Sequence, residues 1–232
     1  MIGIRTAARV LGELRRDITA AHERDPAARG VTGVEILATW PGVHALLAHR
    51  VAHALSEAGV PVAPRTIAAA ARAVTGIEIH PCADVGDGLF IDHGMGVVVG
   101  ETAEIGENVS LLQGVTLGGT SVRREKRHPT LGDNVTVGAG AKILGGFTIG
   151  AGSRIGAGSV VVREVPENSV VVGVPGRVTY RDGQRVQGEI DLNQVDLPDP
   201  LARTVEHLLD RIRALEGELE ALKHPARERE EQ

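Results

Sequence analysis

Two histidines carry distinctive neighbours. His93 follows a carboxylate in Asp92-His93-Gly94, and His128 follows a guanidinium in Arg127-His128-Pro129. An imidazole with an ordinary pKa near 6.5 is largely neutral at pH 7, so it can take a proton from a reacting hydroxyl or offer a hydrogen bond. His49 and His53 have the i, i+4 spacing of a metal pair, but no third ligand cluster accompanies them, and packing on a helix face is the reading here. His80, His93 and His128 are not spaced as a metal triad. Cys82 is the single cysteine; it cannot close an intramolecular disulfide or supply a zinc ribbon, so it reads as a packing residue in a reducing cytoplasm.

The chain that must position these groups has 232 residues, 42% apolar and 24% charged, ordinary for a soluble globular protein. It has 30 glycines and only four aromatic residues, Trp40, Phe90, Phe147 and Tyr180. The core must therefore use small aliphatic side chains and many tight turns, which disfavours a sandwich or a doubly wound sheet. A net charge of -5 offers no general attraction to nucleic acid or anionic lipid. No apolar stretch approaches the ~18 residues of a membrane span, and the start lacks a signal peptide's hydrophobic run, so the expected location is cytoplasmic.

Residues 2–75 read as helices. Thr32-Gly33-Val34-Glu35 fits a capping box, Pro41 suits a first helical turn, Gly59 a left-handed stop, and Pro61 and Pro64 bar continuation before a last alanine-rich helix over 65–75. From Ile79 an aliphatic residue recurs every sixth position, usually followed by glycine: Val85, Ile91, Val99, Ile105, Leu111, Leu117, then Leu131, Val137, Ile143, Ile149, Ile155, Val161. A helical period of 3.6 cannot produce this. A hexapeptide step suits a left-handed parallel β-helix, three steps making one triangular coil of 18 residues. Two breaks interrupt the register, between Ile91 and Val99 and between Leu117 and Leu131. His93 lies at the first and His128 at the second, where a polar run from Gly119 loops out.

After Arg177 the repeats end, and residues 179–198 read as a polar linker. Asp199 and Pro200 start a helix in which Val205, Leu208, Ile212, Leu215, Leu219 and Leu222 alternate by three and four, the a and d positions of a short coiled coil or the apolar face of a single packed helix. The fold class is α+β: a helical domain at 1–76, a β-helix at 77–178, the linker, and a C-terminal helix and tail at 199–232.

Several segments together resemble serine O-acetyltransferase: Thr75-Gly-Ile-Glu-Ile-His-Pro81, Ile91-Asp-His-Gly94, Val99-Gly-Glu-Thr-Ala103, Gly114-Val-Thr-Leu-Gly-Gly-Thr120, Arg127-His-Pro129 and Gly138-Ala-Gly-Ala-Lys-Ile-Leu-Gly145. The likeness runs from about residue 13 to 178. It implies transfer of acetyl from acetyl-CoA to the hydroxyl of L-serine, giving O-acetylserine and CoA for cysteine biosynthesis. His93 matches the family's base, and Glu78 takes the place of the carboxylate that supports it, with one methylene more than the aspartate of many relatives. Asp92 and Arg127 match the groups that hold the ammonium and carboxylate of serine; His128 and Asp25 match further substrate contacts. Gly119, Thr120, Ala139, Arg154 and Ala157 match the CoA groove, although a β-helix corner needs small residues in any case.

The resemblance further implies a ternary complex with acetyl-CoA as co-substrate, no cofactor and no metal. It implies a homotrimer with sites between adjacent β-helices, which some relatives pair into a dimer of trimers through a larger helical domain. L-cysteine is expected as a feedback inhibitor. Many relatives insert a C-terminal isoleucine into a sulfhydrylase; this sequence ends in Gln232 after a charged run, so that complex is not expected. The competing readings are a hexapeptide acetyltransferase for sugar hydroxyls, a γ-type carbonic anhydrase, and a non-catalytic trimeric scaffold.

Overall fold

The computed structural model describes residues 4–180 and 208–216. Four helices lead: α1 (Ile4–Arg24), α2 (Gly33–Thr39), α3 (Pro41–Glu57) and α4 (Ala63–Thr75), with a 3-10 turn at Pro26–Ala28. Their boundaries follow the expected caps. Thr32 Oγ1 accepts from the Glu35 amide at 3.3 Å, Pro41 opens α3, and Gly59 follows α3 with a φ of 71°.

Fifteen short strands follow among the described residues, and the first fourteen wind into a left-handed parallel β-helix. Face A stacks β1 (Glu78–Ile79), β4 (Val98–Val99), β7 (Thr116–Gly118), β10 (Lys142–Leu144) and β13 (Val160–Val161). Face B stacks β2 (Asp84–Val85), β5 (Glu104–Ile105), β8 (Thr130–Leu131) and β11 (Thr148–Ile149). Face C stacks β3 (Phe90–Asp92), β6 (Ser110–Leu112), β9 (Thr136–Val137), β12 (Arg154–Ile155) and β14 (Ser169–Val172). The last strand, β15 (Arg177–Tyr180), folds back antiparallel on β14 and so covers the open edge of face C. It reaches two residues into the segment read as linker; the rest of that linker lies outside the described residues.

Every aliphatic residue of the hexapeptide series points inward, from Val85 at 7% exposure to Leu117 and Ile143 at 0%. Val165 and Val171 extend the columns beyond Val161. Each such side chain contributes about 1.5–3 kcal/mol by leaving water, which is how the solenoid holds together with so few aromatic residues.

The strand registers show what the two breaks insert. Where the pattern is intact, partners are 18 residues apart, as in Val99 and Leu117. Across the first break they are 20 apart, as in Ile79 and Val99, so His93 rides on a two-residue bulge at the corner between faces C and A. Across the second they are 26 apart, as in Leu117 and Ile143, so the polar loop is eight residues inserted at the corner between faces A and B.

The helices cover the first coil. Ala45 and Leu46 of α3 join the solenoid core, while Leu14, Ala21, Ile36 and Val43 pack around Phe90 on the outside of face C. Two buried arginines lock the layers. Arg24 donates to the carbonyls of Gly88 and Val109 at 3.1 Å and to Asn108 Oδ1 at 2.9 Å. Arg50 donates to both oxygens of Asp17, at 3.2 and 3.3 Å, and to the Val85 and Gly86 carbonyls. Asp17 is fully buried, and burial pushes its carboxyl up against the pull of Arg50. None of the described helices is long and apolar enough to cross a membrane.

The chain divides into Met1–Leu197 and Pro198–Gln232. The second unit contains a helix over 208–216 whose Leu208, Ile212 and Leu215 are 47 to 54% exposed. Val205, Leu219 and Leu222 of the same expected stripe lie outside the described residues.

His49 on α3 is buried, and its Nδ1 has no hydrogen-bond partner among the described residues. Burial first, then the neighbouring Arg50, His53 and His80 charges, push its pKa down to about 3. In the unfolded chain it returns to about 6.5, so below that pH the unfolded state binds a proton the folded state refuses. Stability contributed above pH 6.5 is therefore lost as pH falls toward 3. We expect this residue alone to cost about 2 kcal/mol between pH 6.5 and 5. Urea midpoints measured across that window should fall less steeply in His49→Leu than in the wild type.

Candidate active site

The bulge at the C/A corner has a local cause. Ile91 must stay inward and Phe90 must face the helices, so the two added residues can only turn outward. His93 takes a φ of 57° and the following Gly94 a φ of 73°; a Cβ at Gly94 would sit 2.4 Å from Ile77 Cδ1. The His93 side chain is 75% exposed, with Nε2 3.8 Å from Asp92 Oδ1. Burial pushes the Asp92 carboxyl up, His93 pulls it down, and the negative charge of Asp25 pushes it up again.

Asp25 is thus within electrostatic range of the same corner, although it lies 67 positions before Asp92 in the sequence. Asp25 caps the short turn after α1: Oδ1 accepts from the Ala27 amide at 2.8 Å and Oδ2 from the indole N–H of Trp40 at 2.9 Å. Trp40 was not singled out as a site residue from the sequence, because nothing in a chain linear at that point shows that the α2–α3 junction folds back onto the Asp25 turn. Asp92 thus has an imidazole beside it and a second carboxylate, Asp25, within electrostatic range, a set suited to an ammonium group and a proton transfer.

Glu78 is placed differently from the support role expected of it. It lies on β1 with its Oε2 3.0 Å from Arg72 Nη1 on α4, and the carboxylate that reaches His93 is Asp92. Arg72 wins because α4 ends directly before β1, which sets the two side chains on the same edge.

The second cluster lies at the A/B corner, at the other end of face A. The inserted loop returns across Gly100, and the His128 ring lies so close over it that a Cβ there would be 2.0 Å from Cδ2. Arg127 donates from Nη2 to Glu101 Oε2 at 2.6 Å and from Nη1 to the Arg123 carbonyl at 3.1 Å. Three of its five N–H donors are left for a ligand. Thr102 Oγ1 accepts from the Arg127 and His128 amides at 3.1 and 3.0 Å, and Lys126 Nζ donates to the Thr102 carbonyl at 2.7 Å. An open groove of about 330 Å3 runs along Glu101, Thr102, Arg124, Glu125 and Arg127. His128 is buried, and its pKa is lowered by that burial and by Arg127. Burial likewise lowers that of His80, whose Nδ1 accepts from the Cys82 amide at 3.1 Å. Glu101 and Thr102 fall within the Val99–Ala103 motif, but only the return of the loop onto Gly100 shows what they hold.

The residues matched to a CoA groove divide between the same two corners. Gly119 and Thr120 begin the inserted loop at the A/B corner, whereas Ala139 and Ala157 stack at the C/A corner, two and three coils beyond His93. Arg154 lies on β12 of face C. At about 4.8 Å per coil, Ala139 and Ala157 mark an edge roughly 10 to 15 Å long leading away from His93. No group of three or more His, Cys, Asp or Glu side chains that could hold a metal ion occurs among the described residues.

A solenoid of hexapeptide coils with histidines on its register breaks defines a hexapeptide-repeat transferase, and the family model described as bacterial transferase hexapeptide (six repeats) matches residues 128–163. The chain is 54% identical to serine acetyltransferase of Synechococcus elongatus over 93% of its own length and 86% of that protein. Its structure superposes on soybean serine acetyltransferase complexed with serine at a TM-score of 0.70, with 45% identity, covering 73% of this chain and 69% of the other. A serine acetyltransferase in complex with cysteine matches at a TM-score of 0.74 and 37% identity, covering 77% and 69%. The chain belongs to the serine acetyltransferase family.

Trp40 is the single tryptophan, half-buried against Asp25. Asp25→Ala removes the acceptor of the indole N–H, at a cost of about 1 kcal/mol. We expect a red-shifted tryptophan emission and a lower urea midpoint, and a smaller change for Asp25→Asn, which keeps one oxygen acceptor.

Proposed function

We propose that the chain is a serine O-acetyltransferase that moves acetyl from acetyl-CoA to the hydroxyl of L-serine, supplying O-acetylserine for cysteine biosynthesis. The observation that carries this reading is the pair of complementary clusters at the two ends of face A. Asp25 and Asp92 offer negative charge for an ammonium group beside the exposed base His93, and Arg127 with His128 offers donors for a carboxylate. Together they suit a zwitterionic acceptor better than a neutral sugar. The serine-bound soybean relative supports the same acceptor.

In the reaction, His93 takes the proton of the serine hydroxyl as its oxygen attacks the thioester carbonyl. The C–O bond forms, the tetrahedral oxyanion is held by N–H donors, and the C–S bond breaks. The proton then passes from His93 to the departing CoA sulfur. Asp92, 3.8 Å from His93, stabilises the imidazolium in between. Glu78 stays with Arg72 and belongs to the edge of the site rather than its centre.

The two clusters sit at different corners of one chain, so neither is complete alone. In a trimer with threefold symmetry, the C/A corner of one copy faces the A/B corner of the next, and each interface then joins both. The split of the CoA-matched residues over the same two corners supports the same assembly: the pantetheine arm runs along Ala139 and Ala157 of one copy against Gly119 and Thr120 of its neighbour. The exposed Leu208, Ile212 and Leu215 are the positions a parallel three-stranded coil of this chain buries. L-cysteine, with the same ammonium and carboxylate as serine, occupies the acceptor site; a family member complexed with cysteine supports this. Cys82 is exposed rather than a packing residue, and a lone thiol suits a cytoplasmic enzyme.

Purified protein given acetyl-CoA and L-serine should release CoA thiol only when serine is present. His93→Ala should lower kcat by about 100-fold or more, and L-cysteine should raise the apparent KM for serine without lowering kcat. Equal release with sugar alcohols in place of serine would refute the acceptor assignment. A mixing experiment tests the shared site: inactive His93→Ala and Arg127→Ala proteins, unfolded together and refolded as mixed oligomers, should regain part of the activity, because some interfaces then hold one intact cluster from each copy.

A further inference from the structure

Thr102 has a hydrogen-bond arrangement that leaves it one role. A threonine hydroxyl has one proton to donate and two lone pairs to accept with. The amides of Arg127 and His128 both donate to Oγ1, at 3.1 and 3.0 Å, and occupy the lone pairs. The hydroxyl proton must therefore go elsewhere, and the remaining partner is His128 Nδ1 at 2.9 Å. The Thr102 amide donates to that same nitrogen at 3.2 Å. Two donors directed at Nδ1 require a lone pair there, so the ring proton of neutral His128 sits on Nε2.

We propose that Thr102 is a positioning residue that locks His128 as a neutral Nε2–H donor, so that His128 serves the reaction by holding an anionic oxygen while proton abstraction is left to His93. This rests on the acetyl-transfer reading above, in which the oxygen belongs to the serine carboxylate or to the tetrahedral oxyanion. Glycines rather than side chains line the far edge of the ring. Nε2 lies over Gly100 and beside Gly119, where added Cβ atoms would stand 2.1 and 3.1 Å from it. The surroundings reinforce the neutral form: burial is the largest influence against a positive charge on the ring, Arg127, His80 and Lys126 add to it, and Glu101 alone favours the charge. His93 has the opposite surroundings, exposed to solvent with a carboxylate 3.8 Å away. The two histidines of the site are thus divided into one base and one donor by their surroundings.

The test uses the full chain labelled with nitrogen-15 histidine, together with Thr102→Val and Thr102→Ser. In the wild type the His128 signals should show an unprotonated Nδ1 and a protonated Nε2 at pH 8, and keep that pattern at pH values where an ordinary histidine has taken up its second proton. Thr102→Val should raise the His128 pKa toward the ordinary histidine value and so steepen the acidic loss of activity. It should also lower kcat/KM by about 10- to 100-fold. Thr102→Ser, which keeps the hydroxyl, should restore most of each property. A fall mainly in kcat assigns the oxygen to the tetrahedral intermediate, and a rise mainly in KM for serine assigns it to the carboxylate. A wild-type spectrum with the proton on Nδ1, or a His128 that titrates identically in the wild type and Thr102→Val, overturns the proposal. The spectra do not depend on turnover, so a correctly locked His128 in a protein that releases no CoA would instead overturn the acetyl-transfer reading and the donor's part in it.

Discussion

Each coil of the solenoid encloses a triangular interior that admits one aliphatic side chain from each face, stacked directly on the residue of the coil below. Ile79, Val99, Leu117, Ile143 and Val161 form one such column, all at 4% exposure or less. Close packing leaves no slack in it: a shift of one residue would turn an aliphatic side chain outward and a polar one inward. Inserted residues are therefore expelled at the corners, where the chain already turns. The two-residue bulge bearing His93 and the eight-residue loop bearing Arg127 and His128 are the two places where this expulsion occurs. The rigidity of the columns is what makes exposed corner residues precise enough for catalysis.

The helical domain adds to this frame a group the β-helix lacks. Arg24 and Arg50 reach from α1 and α3 into the carbonyls of the first coils, where both guanidinium groups are held by several acceptors. A buried pair such as Asp17 and Arg50 adds little net stability over an apolar pair, but breaking it strands a charge, and it fixes how the helices sit on face C. That fixed seat delivers Asp25, held by Trp40 and the Ala27 amide, to within electrostatic reach of Asp92.

At the A/B corner glycine and threonine do complementary work. Gly100 lets the His128 ring lie against the coil, and Thr102 ties down the amides and the imidazole of the returning loop. Arg127 is held by Glu101, so its charge is partly balanced before any ligand arrives while three donors remain free. A loop that is mostly polar on the outside is thereby anchored along its last residues, which is where the reactive groups are.

The hexapeptide period, the helix caps at Thr32 and Pro41 and the two breaks at His93 and His128 were all legible in the linear chain, because each depends on residues within a few positions of one another. The family motifs were legible for the same reason. What the linear chain did not hold was every relation across coils or across domains. The partner of Glu78 proved to be Arg72, Asp25 met Trp40, and Thr102 met His128 across 26 residues. Nor does the period alone say how long an insertion is: the fourteen-residue gap from Leu117 to Leu131 contains one ordinary step and eight extra residues, which only the registers show. Local sequence determines which residues turn inward, since burial follows a short repeat. Which outward side chains meet is decided by the stacking of coils and the seat of the helices, since those contacts form only when distant segments are packed together.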